Sequence, residues 1–243
     1  MDDFSKYLFH PSNVGKLMSR DGSLTQGNKT ALQDIFIEQI HGIHKDIYSK
    51  TFDKGKHNEQ DGITILQKAL YPGRLLLKNK ERKTDDYFNG EADVIVDDII
   101  YDVKNAYSLY TFEKAELSSD YYYQLLAYCM LYVKTKARLF YVLTDTPEHL
   151  LISEERKIFY SNSFADQFDD EYIEMCENMR MMHVFGDKPI EERFKMWDVE
   201  LTEDLRTAML TKLDKCREYL VKLDKERTHG IERNRELIKS AKE

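Results

Sequence analysis

Cysteine is scarce in this 243-residue chain. Only Cys129, Cys176 and Cys216 occur, far apart and without a C-x-x-C spacing. A disulfide framework and a four-cysteine zinc site are excluded, and a reducing cytosolic compartment is the natural expectation. Long apolar runs are missing too. No stretch of about 18 uncharged apolar residues occurs, so no transmembrane helix is expected. The opening Met1-Asp2-Asp3-Phe4 has neither a basic nor an apolar leader region, so no secretory signal is expected. Internal repeats, low-complexity blocks and convincing linkers are absent as well.

What is present is a globular composition, 42% apolar and 33% charged, with enough chain to bury a core. Net charge is −8, but it is unevenly spread. Lys50–Lys83 holds nine basic and four acidic residues. Asp145–Asp204 holds six basic and 17 acidic ones, and Leu205–Glu243 holds 11 basic and seven acidic. An acidic protein can still bind nucleic acid through a local basic surface. On charge alone, however, the Lys50–Lys83 excess reads as an ordinary solvated face.

Apolar spacing predicts a helix from Thr25 to about His41 and another from Lys54 to about Leu70, stopped by Tyr71-Pro72-Gly73. The period then changes. Leu75–Leu77, Tyr87–Phe88, Ala92–Val96 and Ile99–Val103 read as a meander of short antiparallel strands. Ser118 or Ser119 caps a helix reaching about Lys134. Ala137–Thr144 and Phe194–Leu201 read as strands, with 164–183 helical between them. Thr202-Glu203 opens a long helix to about Arg227, and Thr228–Glu243 reads as a charged, flexible tail behind a single domain of residues 1–227. The fold class is α+β or mixed α/β, a small central sheet flanked by helices.

Chemistry concentrates on Asp102-Val103-Lys104, at the end of an apolar strand. Side chains two apart on a strand share a face, so Asp102 and Lys104 project together with the Val103 carbonyl between them. Asp93 lies on the preceding strand. A hairpin turning at Asp97-Asp98 brings it beside Asp102. Two carboxylates and a carbonyl form a hard-oxygen site suited to Mg²⁺ or Mn²⁺, and the Lys104 ammonium is placed to act on water or a phosphate oxygen. The bland alternative is an ion pair at a strand end. Gln124 and Tyr128, four apart, share a helix face, and Tyr121 and Tyr132 fall on the same stripe. That stripe reads as core packing, except that a half-buried amide such as Gln124 needs partners. Met175, Met179 and Met182 read as a helix packing face, and Trp197 and Phe194 as strand core. His41 and His44 are near one another, but nothing is spaced to complete a zinc site with them.

Six segments, in order, resemble a known family: Pro11-Ser12-Asn13-Val14-Gly15-Lys16-Leu17, Gly55-x-x-x-Glu59, Gly90-Glu91-Ala92-Asp93, Asp102-Val103-Lys104, Gln124-x-x-x-Tyr128, and Met196-Trp197-Asp198-Val199-Glu200 before a long helix. The chain resembles the PD-(D/E)xK nuclease superfamily, and within it the lambda-type phage exonuclease and RecB-like group. The resemblance implies a restriction-endonuclease-like core and a Mg²⁺-dependent deoxyribonuclease (Mn²⁺ as the substitute). Asp93, Asp102, Val103 and Glu59 would hold the metal, Lys104 would orient or deprotonate the attacking water, and Gln124 and Tyr128 would position these groups. Ser12, Lys54, Lys56, His57 and Arg74, with Lys78, are the candidate DNA contacts. Three scattered cysteines exclude the iron–sulfur cluster of some relatives. The lambda-type members place an arginine upstream of the N-terminal serine, where the nearest basic residue here is Lys6. The implied partners are DNA, a single-strand annealing protein and two further copies in a homo-trimer, in the cytoplasm of a phage host. An endonuclease of restriction or repair type, or a non-catalytic DNA-end-binding protein, are the alternatives.

Overall fold

The computed structural model describes residues 3–19, 22–43 and 50–241, the last span with side chains from Asn58 onward. A short helix α1 (Pro11–Val14) is followed by α2 (Gln26–His41) and α3 (Lys50–Leu70). Two small strands, β1 (Lys83–Thr84) and β2 (Asn89–Gly90), pair with each other. The main sheet uses β3 (Val94–Val96), β4 (Ile99–Asn105), β5 (Lys136–Val142) and β6 (Phe194–Glu200), in that spatial order. Helices α4 (Leu109–Glu113) and α5 (Ser119–Tyr132) cross from β4 to β5, which run parallel. Helices α6 (Glu148–Ser161) and α7 (Asp170–Met181) precede β6, and α8 (Glu203–Ser240) ends the described chain. This is the mixed α/β class read from the sequence, with β3–β4 and β5–β6 antiparallel.

The sheet separates two apolar layers. On one face α3 packs Ile63, Ile65 and Leu66 against Val94, Tyr101, Val103 and Phe140. Gly62 makes that approach feasible: a Cβ there would lie 2.8 Å from Val103 Cγ1 and 2.9 Å from Asn105 Oδ1. On the other face lies α5, buried at every position from Gln124 to Tyr132. A helix buried all round needs cover on both sides. The sheet supplies one side, and α1 with the turn after it the other. Gly15 sits so close that a Cβ would fall 2.3 Å from Asp120 Cα, at the first turn of α5. Ser118 caps α5, accepting from Tyr121 N at 3.3 Å. Buried Lys212 of α8 donates to Ser19 Oγ, Asn28 Oδ1 and the Ser23 carbonyl, which ties α8 to α2 and the loop before it.

Several elements differ from the sequence reading. The expected meander is two separate pairings, and Leu75–Leu77 is not a strand. Leu75 and Leu77 face solvent, and Leu76 alone is buried, with its N–H held by Gln67 Oε1 at 2.9 Å. Helix α6 was not foreseen, and Leu151 is its only buried residue. Helix α7 starts later than expected, at Asp170, where Asp169 caps it. Helix α8 runs past Arg227 to Ser240, so residues 228–240, read as part of a flexible tail, continue the helix. Among the described residues no helix is long and apolar enough to cross a membrane.

Candidate active site

The β3–β4 hairpin sets the centre. It turns at Asp97-Asp98, with Asp97 in the left-handed region at φ 54°. The resulting register pairs Val94 with Tyr101. One step further, Asp93 comes opposite Asp102. Val103 N donates to Asp93 Oδ2 at 2.9 Å. The N–H and C=O of one strand residue point to the same side, so the Val103 carbonyl also faces the gap beyond the end of β3.

Asp102 is only 2% exposed. Its Oδ1 accepts from Lys104 Nζ at 3.0 Å and from Gln124 Nε2 at 2.9 Å. Its Oδ2 is buried with no hydrogen-bond partner. Such an oxygen costs about 1–3 kcal/mol, more when charged, and its partner must come from outside the chain, as a water or a cation. Burial, and then the neighbouring Asp102 carboxylate, push the Asp93 pKa up to about 7. Lys104 answers in the opposite sense. Burial pulls its pKa down, but Asp102 and Asp93 outweigh burial and hold the ammonium above the usual lysine range.

The surroundings fix these groups. Asn79 N donates to the Asp93 carbonyl at 2.7 Å. Tyr132 OH receives from Asn79 Nδ2 at 3.1 Å and Ala92 N at 3.3 Å, and donates to the Glu81 carbonyl at 2.5 Å. The Tyr121 ring lies 5.7 Å from Lys104 Nζ. Tyr128 is buried beside Gln124, and burial first, then Asp102 and Asp93, raise its pKa. Glu59 is near enough to add to the charge acting on Asp93, but Lys78 Nζ holds both its oxygens, at 2.7 and 2.9 Å. Among the described residues no three His, Cys, Asp or Glu side chains are gathered as a finished metal cage.

The structure thus brings together Asp93, Asp102, Val103, Lys104, Gln124 and Tyr128, with Glu59 at the margin. Arg74 is elsewhere: it pairs with Asp97 at 3.1 Å, at the turn end of the hairpin. Ser12 is exposed on α1, its Oγ 2.7 Å from His10 Nδ1. Burial and then Arg82 lower the His10 pKa, so Arg82 also reaches this corner. The side chains of Lys54, Lys56 and His57 lie outside the described residues, as does His44. Sequence reasoning missed Tyr132 and Asn79 as groups that hold the Asp93 strand. A tyrosine in a packing stripe gives no signal of where its hydroxyl bonds.

The fold is that of solved exonucleases. A phage-related exonuclease from Haemophilus somnus 129PT is similar with a TM-score of 0.71, at 20% identity, over 91% of this chain and 96% of that one. An alkaline exonuclease from Laribacter hongkongensis is similar with a TM-score of 0.59, at 11% identity, over 97% and 96%. Its complex with dAMP gives 0.58 at 12% identity. No family model matches the chain, and no curated protein does.

Proposed function

We propose that this protein is a metal-dependent deoxyribonuclease that hydrolyses phosphodiester bonds from DNA ends. The observation that carries the reading is the buried Asp102 oxygen without a partner, flanked by Asp93 and Lys104. The donor set suits a hard divalent ion, Mg²⁺ or Mn²⁺: Asp93, Asp102 and the Val103 carbonyl would hold it, with Glu59 alongside. When bound, that ion supplies the charge neutralisation and water activation that phosphodiester hydrolysis requires.

The remaining work belongs to the chain's own groups. Lys104, held 3.0 Å from Asp102 Oδ1, would orient or deprotonate the attacking water and present its charge to a non-bridging phosphate oxygen. Gln124 fixes the Asp102 rotamer through its 2.9 Å bond, leaving Oδ2 as the free oxygen. Tyr128 and Tyr121 shield the Asp102–Lys104 pair from bulk water, which strengthens every charge interaction there. The similar structures are exonucleases, one with dAMP bound, which supports an end-directed DNA substrate over an internal one. A ring of three copies and a single-strand annealing partner belong to the same reading.

The test compares linear duplex with a 5′-phosphate, linear duplex with a 5′-hydroxyl, and closed circular plasmid at one ionic strength. Mg²⁺-dependent loss of linear DNA, with the circle intact and Asp102→Asn inactive, is expected. Nicking of the circle at a comparable rate would replace the exonuclease by an endonuclease. Cleavage that survives EDTA would overturn the metal site.

A further inference from the structure

Glu59 is the one carboxylate of the site that is already bonded through both oxygens. Lys78 Nζ lies 2.7 Å from Oε1 and 2.9 Å from Oε2. Lys78 is not a wandering surface lysine. It sits in an extended segment pinned on both sides, with Leu76 N on Gln67 Oε1 at 2.9 Å and Asn79 N on the Asp93 carbonyl at 2.7 Å. The backbone bond at Asn79 places Lys78 one residue from a direct contact with Asp93. The ammonium accordingly feels Glu59, Asp93 and Glu91.

We propose that Lys78 is a displaceable counter-ion: it holds Glu59 until a divalent cation takes that carboxylate, and is then released toward the DNA backbone. The inference rests on the nuclease reading and adds a residue and an order of events to it. Three observations support it. The pair is only partly exposed, at 38% for Lys78 and 31% for Glu59, so it is more than a solvated surface contact. Asp93 and Asp102 stand together while Glu59, close enough to be felt by Asp93, is engaged elsewhere. The backbone bonds at Leu76 and Asn79 keep the Lys78 ammonium beside Glu59, so a cation arriving at that carboxylate meets it. A divalent ion between Glu59 and Asp93 would lie against that ammonium, and the like charges repel. An ammonium freed there has three donors and suits a phosphate.

The experiment is a double-mutant cycle on metal binding, without DNA and without turnover. Mn²⁺ is titrated calorimetrically into wild type, Lys78→Met, Glu59→Gln and the double variant. Lys78→Met should tighten Mn²⁺ binding about three- to fivefold, the size expected for removing a partly exposed ion pair that competes. Glu59→Gln should weaken it. In the Glu59→Gln background, Lys78→Met should change the affinity less than about 1.5-fold, because the competed group is gone. Lys78→Gln should repeat the Lys78→Met result. Equal tightening with and without Glu59 would mean that Lys78 acts only through its distant charge, which overturns the inference and leaves the metal site standing. Weaker binding in Lys78→Met would also overturn it. Failure of every protein to bind Mn²⁺ would overturn the nuclease reading together with it.

Discussion

Replacing Asp93 by asparagine sets the needs of the site against those of the fold. Burial first, and Asp102 second, raise the Asp93 pKa from 3.8 to about 7. A carboxyl with a raised folded pKa binds its proton more tightly in the folded state. Below about pH 4 both states are protonated and the group is neutral in the balance. From about pH 4 to about pH 7 the folded state keeps a proton that the unfolded state has lost, so stability falls with rising pH. The slope is at most about 1.4 kcal/mol per pH unit, and above about pH 7 the loss is constant. Discounted for partial exposure, the penalty at about pH 8 is roughly 2–4 kcal/mol. Asparagine keeps an acceptor for Val103 N–H and removes the charge. In EDTA, Asp93→Asn should therefore melt roughly 5–10 °C above wild type at about pH 8, and the two melting curves should converge near pH 4. Mg²⁺ should reverse the order, because it stabilises by mass action only the protein that binds it. Scanning calorimetry across that range, with and without Mg²⁺, is the assay. A variant less stable than wild type at alkaline pH in EDTA, or a gap independent of pH, would refute the reasoning.

Three further outcomes follow from the same geometry. Gln124→Leu removes a buried bond to a charged oxygen, a contribution of about 1.5–3 kcal/mol; kcat/KM on labelled linear duplex should fall about 10- to 100-fold, and an unchanged value would detach Gln124 from the site. Lys104→Met should lower the single-turnover rate by at least about 100-fold while Mn²⁺ binding is kept or tightened, since a nearby positive charge is gone; loss of binding instead would make Lys104 a builder of the site rather than a participant in the chemistry. Tyr132→Phe deletes the hydroxyl shared by Asn79, Ala92 and Glu81 and should cost about 1–3 kcal/mol in urea denaturation, with indifference showing that water replaces it.

The centre of the site was legible because strand geometry is short-ranged. Asp93 and Asp102 are joined by a hairpin whose Asp97-Asp98 turn fixes the register, and alternation then places Lys104 with Asp102. The Gln124 amide was flagged by its apolar surroundings, and it does find a buried carboxylate. The Lys78–Glu59 pair was not legible, since its members come from a helix and an irregular segment whose path no periodicity encodes. Arg74 shows the same limit: it follows the end of α3 closely, yet points to Asp97 rather than to the carboxylates. Helix α6 was hidden because the charged run Glu154–Lys157 splits its apolar residues, Leu150, Leu151, Ile158 and Phe159, into two separate groups. The last part of α8 is exposed and charged, which reads as a tail. Its helicity continues from a first half whose Met209, Leu213, Cys216 and Leu220 are buried.

Charge arithmetic links the two proposals. Of the three carboxylates that would hold the metal, Glu59 meets Lys78 and Asp102 meets Lys104, so within this set three negative charges face two positive ones, with Glu91 further out. The protein alone is one positive charge short. Burial first, and the Asp102 carboxylate second, raise the Asp93 pKa, and one Asp102 oxygen is left without a partner from the chain. Adding a divalent ion turns a deficit of one into an excess of one. A single phosphodiester, with one negative charge, restores neutrality. Metal and DNA should then favour each other's binding, and the coupling is reciprocal by linkage. Lys78 is the group with the freedom to carry this exchange. Lys104 is tied to buried Asp102, whereas Lys78 reaches its carboxylate from the rim. A site finished in the absence of metal would need no such shift. On the proposed reading, a set left one charge short is less stable without the ion and makes substrate binding depend on it.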